Sequence, residues 1–275
     1  MNASNDHLRD LIAARALHGR LRGLGDVAAP AGLLGAVLTE LGLSERFISL
    51  ETPIGTVYVA FIADAITGVA PAVDDAGFTQ AYRARTGRTV RRADTPPPGL
   101  LEGISRHLAG EPATLDFDLR SLSEFERAVL LKASEIPRGE IRPYGWIARE
   151  IGRPGAVRAV GSALNKNPVP LLIPCHRVVR SDGQIGDYAY GPARKRTLLA
   201  AEGLDIARLD ALAQAGIRFI GDPADHSYCL PTCRGVTYQP QDSLLLLSSV
   251  KAARAAGLAP CDWCRPAPEL DAQAV

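Results

Sequence analysis

Four of the chain's five cysteines fall toward its C-terminal end in two close pairs, Cys229-x3-Cys233 and Cys261-x2-Cys264, with 27 residues between the pairs. Short gaps let both thiols of a pair reach one ion. In a reducing compartment this spacing therefore predicts a tetrahedral site in which Cys229, Cys233, Cys261 and Cys264 share one Zn2+. Such a site ties two separate stretches of chain to one point. Disulfides are the weaker alternative, because a secreted protein built on them would be shorter and denser in cysteine. No organic cofactor is expected. The assignment leaves Cys175 as the one remaining thiol.

Cys175 stands beside His176 in Pro174-Cys175-His176-Arg177-Val178, at the end of the apolar run Val169-Pro170-Leu171-Leu172-Ile173. A thiol with a pKa of ~8.5 is only slightly ionised at neutral pH. Apolar surroundings alone raise that pKa. A cysteine placed here is either an inert core residue or a nucleophile with a base attached, and the pair by itself leaves both readings open.

Hydrophobic periodicity divides the remainder. Residues 6–46 show helical spacing (Leu8, Leu11, Ile12, Ala16, then Leu33, Leu34, Val37, Leu38, Leu41) broken near Gly23 and Pro30, which predicts two short helices. From Phe47 to Ala72 the sequence is β-rich, with strands over 48–50 and 56–62 and a turn at Thr52-Pro53-Ile54-Gly55. Helices are predicted over 75–86 and 100–109, and a strand over 115–119. Ser123 with Glu126 three residues on makes a capping box for a helix through Ser134. Two short helices, 144–151 and 156–165, joined by Gly152-Arg153-Pro154-Gly155, have helix-turn-helix spacing. The second is rich in small residues (Ala156, Ala159, Gly161, Ser162, Ala163), which permit something to approach closely. On physics alone the usual partner is another helix.

Charged residues are 22% of the 275 and the formal net charge is +1, so there is no global basic field and any nucleic-acid contact must be local. No apolar stretch approaches the ~20 residues of a membrane helix, and the first residues lack a signal-peptide pattern. A cytoplasmic protein without a membrane partner is expected.

Several motifs occur in order: Ile136-Pro137-Arg138-Gly139-Glu140, Tyr144-Gly145-Trp146-Ile147-Ala148, Arg158-Ala159-Val160-Gly161, Asn165-Lys166-Asn167-Pro168, the Pro-Cys-His-Arg-Val core, Gly183 to Tyr188, Gly191, and Leu198 to Gly203. From Phe125 to Gly203 the chain resembles the catalytic domain of the O6-alkylguanine-DNA alkyltransferases, or methylated-DNA-protein-cysteine methyltransferases. The Thr-Pro-Ile-Gly turn resembles the start of that family's N-terminal domain. One departure lies at Arg120 to Glu126, where the family commonly has a Gly-Thr-Pro-Phe-Gln-like entry.

The resemblance implies single-turnover DNA repair on alkylated double-stranded DNA by a monomer. Cys175 would attack the alkyl carbon, His176 would accept the thiol proton through a water, and Glu202 would orient His176. Tyr144 would donate to the departing guanine, and Asn167 would hold the active-site turn. The helix with Ala159 and Gly161 would enter the minor groove, and Arg158, otherwise a solvated surface charge, would fill the space of an extruded nucleotide. Backbone groups at Val178, and the loop with Tyr188 and Ala189, would recognise the guanine and enclose the alkyl group. Asp187 and Tyr190 lie beside that loop.

Residues from Ile217 to Pro266 resemble the zinc-binding domain of the Ada methyl-transfer proteins, in which the first cysteine, here Cys229, accepts a methyl group from a phosphotriester. A strand over 244–248 and a helix over 250–256 are expected between the cysteine pairs. The segment from Gly221 to Ser227 departs from the Ada pattern, and a structural site aiding DNA contact stands beside methyl acceptance. The fold class implied is α+β: a ribonuclease-H-like mixed α/β domain, a helical winged helix-turn-helix-like catalytic domain and a small zinc-bound αβ module. The corresponding segments are a helical extension (1–46), the first domain (47–120), the catalytic domain (121–206), a linker (207–216), the zinc module (217–268) and a tail (269–275). Competing readings are a lesion-binding or regulatory protein that leaves its cysteine unused, and a cysteine hydrolase. The adjacent Cys-His pair argues against the last, which needs a distant histidine and an oxyanion hole.

Overall fold

The computed structural model describes residues 45–63, 65–72 and 74–267, with Val37 besides. The helices expected between residues 6 and 46 and the tail 269–275 lie outside the described residues, except that Glu45 and Arg46 open a strand.

Strands β1 (Glu45–Thr52) and β2 (Gly55–Phe61) form a hairpin around the expected turn, where Thr52 pairs with Gly55 and Gly55 takes φ +92°. That left-handed backbone suits a residue without a Cβ. β2 pairs antiparallel with β3 (Ile66–Pro71), and the chain then crosses through helix α1 (Asp75–Thr86) to β4 (Val90–Arg92), parallel to β1. The order is β3-β2-β1-β4. Alternation along β2 separates two cores. Tyr58 and Ala60 join Phe47, Phe78 and Tyr82 under α1, whereas Val57, Val59 and Phe61 face the rest of the molecule. Asp74 caps α1 by accepting from Gly77 N at 2.7 Å.

Helix α2 (Leu100–Ala109) has the expected bounds. The strand expected over 115–119 is instead one bridge, Ile66 to Phe117. Asp116 and Asp118 bond only to the two sides of Ile66, and the Asp118 side chain turns to Arg120 and Arg88.

Helix α3 (Glu124–Ser134) starts at the predicted capping box: Ser123 N donates to Glu126 Oε2 at 2.8 Å, and Glu126 N to Ser123 Oγ at 3.3 Å. β5 (Arg142–Pro143), α4 (Tyr144–Glu150) and α5 (Val157–Asn165) follow, and β5 pairs in parallel with β6 (Val178–Val179). Val129, Leu130, Ile147, Val160 and Leu164 share one core with Val59 and Ile66, so the helices sit on the open face of the first sheet.

Helix α6 (Pro192–Ala201) is followed by α7 (Ile206–Gln214), which occupies most of the segment expected as a linker. Asp205 caps it through Arg208 N at 2.9 Å, and Leu209 packs with Ile141, Val179, Ile185 and Leu199. Its fully buried residues are only Leu209 and Leu212, with Ile206 packed beside them, a short apolar pattern to read. A second sheet, order β10-β8-β7-β9, comprises β7 (Phe219–Asp222), β8 (Ser227–Cys229), β9 (Leu245–Leu247) and β10 (Ala259–Pro260), with α8 (Arg234–Thr237) and α9 (Val250–Ala255). The described residues from 45 to 267 form one unit by their contacts.

Candidate active site and metal centre

Cys175 opens a 3-10 turn, Cys175–Arg177, between the buried run and β6. The run is held in an irregular path: Leu171 has φ +73°, Ile173 N reaches Val169 O at 2.9 Å, and Cys175 N reaches Ile173 O at 2.8 Å. Asn167 fixes both ends of that loop. Its Oδ1 accepts from Val169 N at 3.0 Å, and its Nδ2 donates to Ile173 O at 2.9 Å and lies 3.3 Å from Cys175 Sγ.

His176 is 2% exposed. Its Nε2 lies 2.8 Å from Glu202 Oε1, at the C-terminal end of α6. The carboxylate accepts, so Nε2 carries the hydrogen and Nδ1 is left as an acceptor. Nδ1 is buried and has no hydrogen-bond partner among the described residues. Burial pushes the His176 pKa down against the pull of Glu202, and this favours the neutral imidazole. Burial likewise pushes the Cys175 thiol up, with Asn167 and Lys195 opposing. At rest the pair is a thiol beside a neutral base.

Two residues in this cluster were not assigned roles from sequence. Arg177 Nε lies 3.0 Å from Glu202 Oε2, Nη2 lies 2.9 Å from Oε1, and Nη1 donates to Ile136 O at 2.7 Å. Burial raises the Glu202 pKa, but the hydrogen bonds from His176 and Arg177 outweigh it and pull the carboxyl down to about 2. Lys195 is fully buried on α6, with Nζ donating to Val178 O at 2.6 Å and to Asp187 O at 3.2 Å. Burial lowers its pKa to about 8. The signal was present for Arg177, the fourth residue of the quoted core motif. A lysine inside an ordinary helix carried none.

Tyr144 begins α4, and burial pushes its hydroxyl pKa up. Gly161 on α5 faces it: a Cβ there would sit 3.8 Å from Tyr144 Cε1. Arg158 and Ala159 are exposed on the first turn of α5. Val178 is fully buried, and its carbonyl is the one held by Lys195. Tyr188 packs edge-on to His176, 6.3 Å between centroids, and to Tyr190, while Ala189 is exposed. Tyr190 donates to Val69 O at 2.7 Å, which ties this loop to the first sheet.

Cys229, Cys233, Cys261 and Cys264 converge with all four sulfurs within 4.8 Å of one another, and none is in a disulfide. The set fits one metal ion, since tetrahedral zinc at ~2.3 Å from each sulfur needs sulfurs about 3.8 Å apart. Leu230 N lies 3.3 Å from Cys264 Sγ and Gly235 N 3.4 Å from Cys233 Sγ, contacts that suit thiolates. The centre is anchored to the helical layer. Trp146 Nε1 donates to Cys264 O at 2.9 Å, Ile141 N to Thr232 Oγ1 at 2.9 Å, and Trp263 Nε1 to Glu140 Oε1 at 3.1 Å.

Among the described residues, no helix is long and apolar enough to cross a membrane. A profile of the 6-O-methylguanine DNA methyltransferase DNA-binding domain matches residues 124–204. A methylated-DNA–protein-cysteine methyltransferase from Mycolicibacterium paratuberculosis is 47% identical over 106 residues, covering 38% of this chain and 64% of that protein. One from Mycobacterium bovis is 43% identical over 114 residues, covering 39% and 68%. A solved structure described as Mycobacterium tuberculosis OGT in complex with DNA is 32% identical, covers 58% of this chain and 92% of its own, and has a TM-score of 0.48. The chain thus spans about two thirds of the curated relatives it matches, and at these identities it belongs to the methylated-DNA–protein-cysteine methyltransferase family.

Proposed function

We propose that this protein repairs alkylated double-stranded DNA by moving one alkyl group from guanine O6 to Cys175, once per molecule. The observation that carries the reading is the buried chain Cys175, His176, Glu202, in which Nε2 of His176 is committed to Glu202 and Nδ1 is left to accept a proton. Through a water, His176 takes the Cys175 proton. The thiolate sulfur then forms a bond to the alkyl carbon as the carbon–O6 bond breaks, and Tyr144 donates to the guanine as it leaves. The thioether has no easy leaving group, so turnover stops there. Glu202, fixed by Arg177, orients His176 and balances its transient charge.

The lesion must leave the base stack, at a cost of a few kcal/mol. Helix α5, with Ala159 and Gly161 toward the minor groove and Arg158 in the vacated space, would offset that cost. Backbone at Val178 and the loop of Tyr188 and Ala189 would hold the base. The segments 47–120, 121–206 and 217–268 act as a ribonuclease-H-like domain, a winged helix-turn-helix-like catalytic domain and a zinc module; three antiparallel strands, a crossover helix and a parallel fourth support the first. Bound at the four cysteines, Zn2+ would supply structure, closing strand β8 and the Cys261–Cys264 loop around one point. Cys229 is 1% exposed, which favours that structural role over methyl acceptance at its sulfur. The protein would act as a monomer in the cytoplasm.

Intact and peptide mass spectrometry after mixing with a duplex containing one O6-methylguanine tests the reading. One added methyl on the Cys175 peptide, with loss of the lesion, is expected. Lesion binding without added mass would replace it with a binding function.

A further inference from the structure

The buried run before Cys175 holds a bulky residue in a strained backbone, since Leu171 has φ +73°. Such a conformation at a branched apolar residue persists only where its surroundings fix it. Asn167 ties down Val169 N and Ile173 O, and Val69 N of β3 donates to Pro168 O at 2.9 Å. Leu172, directly after the strained residue, is held from further away. His107 Nε2 lies 2.7 Å from Leu172 O, across 65 residues of sequence. A carbonyl only accepts, so Nε2 carries the hydrogen. Leu172 is 2% exposed, and bulk water does not replace that donor.

His107 is itself fixed. It stands in the last turn of α2, where Gly110 N donates to its carbonyl at 3.1 Å, and its ring packs edge-on to Phe117 with 6.3 Å between centroids. Ile104 and Leu108 of α2 share the core of Leu171 and Leu172. The carbonyl that His107 fixes lies three residues before Cys175, and the next one, Ile173 O, receives both Asn167 Nδ2 and Cys175 N. Release of Leu172 O would let Leu171 relax to an ordinary φ and carry Ile173 O away from Cys175 N. Taking Cys175 as the alkyl acceptor, we propose that His107 is a positioning residue for the transfer: its Nε2–H holds Leu172 O and, through the strained turn, sets the place of Cys175 beside His176.

Two substitutions separate the donor from the ring. His107→Gln keeps an amide N–H at about the reach of Nε2, whereas His107→Leu fills similar volume with no donor. Each is read by single-turnover transfer from a duplex containing O6-methylguanine and, without DNA, by the rate at which iodoacetamide labels the Cys175 peptide in mass spectra. With cooperative urea unfolding retained, His107→Leu is expected to slow transfer by ~10-fold or more and to change the labelling rate, and His107→Gln to restore most of both. Transfer and labelling at wild-type rates in His107→Leu overturn the proposal. Equal slowing by both substitutions also overturns it, because packing on Phe117 rather than donation would then be the cause. Should His107→Leu lose cooperative unfolding, His107→Asn, whose amide falls short of Leu172 O, is read in its place by the same criteria. A wild-type protein that gains no methyl on Cys175 would instead refute the transfer reading, and the labelling rates would still decide the role of His107.

Discussion

Trp146 Nε1 donates to the carbonyl of Cys264 across 2.9 Å, joining the helix that begins with Tyr144 to the loop that carries the last sulfur of the four-cysteine cluster. The two residues are 118 apart in sequence and both are buried. The four-cysteine cluster and the helical layer are thus joined by a buried hydrogen bond.

Trp146→Phe keeps an aromatic ring but loses part of the buried indole and its donor, leaving a buried carbonyl unpaired. A loss of about 1–3 kcal/mol in unfolding free energy is expected, with zinc affinity about 10-fold weaker in competition with a chelating dye. A chelator should release one zinc per chain and lower the Tm of the whole protein. Unchanged melting after complete metal removal would show that the centre does not support the helical layer.

Glu202→Gln should slow transfer to Cys175 by about 100-fold, measured as a single-turnover rate. Its pH signature is separate. With a folded pKa of about 2 against an ordinary 4.5, ionised Glu202 adds of order 3 kcal/mol at any pH above about 4.5, and this is lost as pH falls toward 2. His176, whose pKa is lowered by burial, acts in the same direction as its unfolded form gains a proton below about pH 6.5. Acid titrations of unfolding free energy should therefore be steeper for the wild type than for Glu202→Gln between pH 4.5 and 2.

Asn167→Ala removes the partner of Val169 N and one of the two donors to Ile173 O, the other being Cys175 N, all inside the buried loop. Urea unfolding should show about 2–4 kcal/mol of destabilisation, and transfer should slow because the loop sets the position of Cys175.

Gly161 separates stability from DNA contact. A Cβ there meets Tyr144 only at 3.8 Å, so Gly161→Ala should stabilise α5 by up to about 1 kcal/mol in thermal melts. Gly161→Phe should keep the fold yet abolish transfer from duplex, if α5 meets the minor groove as proposed. Duplex transfer at the wild-type rate by Gly161→Phe would remove α5 from the DNA interface.

The bounds of α1 and α2 and the capping box of α3 were legible because each rests on contacts within four residues: Asp74 to Gly77, Gly87 to Arg83, Ser123 to Glu126. The convergence of the four cysteines was legible because their paired spacing brings two short segments to one point. Lys195 was not, since its role arises from Val178, which only the tertiary fold brings near; Arg177 was marked by its place in the core motif, but its bonds to Ile136 and Glu202 were not. Helix α7 was read as linker because two buried leucines give too short a pattern, and the 115–119 strand failed because only Ile66 offers it a partner.

Strand β3 ends the first sheet on one side, and its outward backbone is taken up inside the same chain. Val69 N donates to Pro168 O, Val69 O receives the Tyr190 hydroxyl, and Ile66 exchanges bonds with Asp116 and Asp118. An unsheathed sheet edge is a template on which a second copy can add a strand. By closing that edge with the loop that flanks Cys175, the chain couples its resistance to aggregation to the integrity of its candidate active-site loop. A protein spent after one reaction would then become prone to self-association if alkylation loosened that loop.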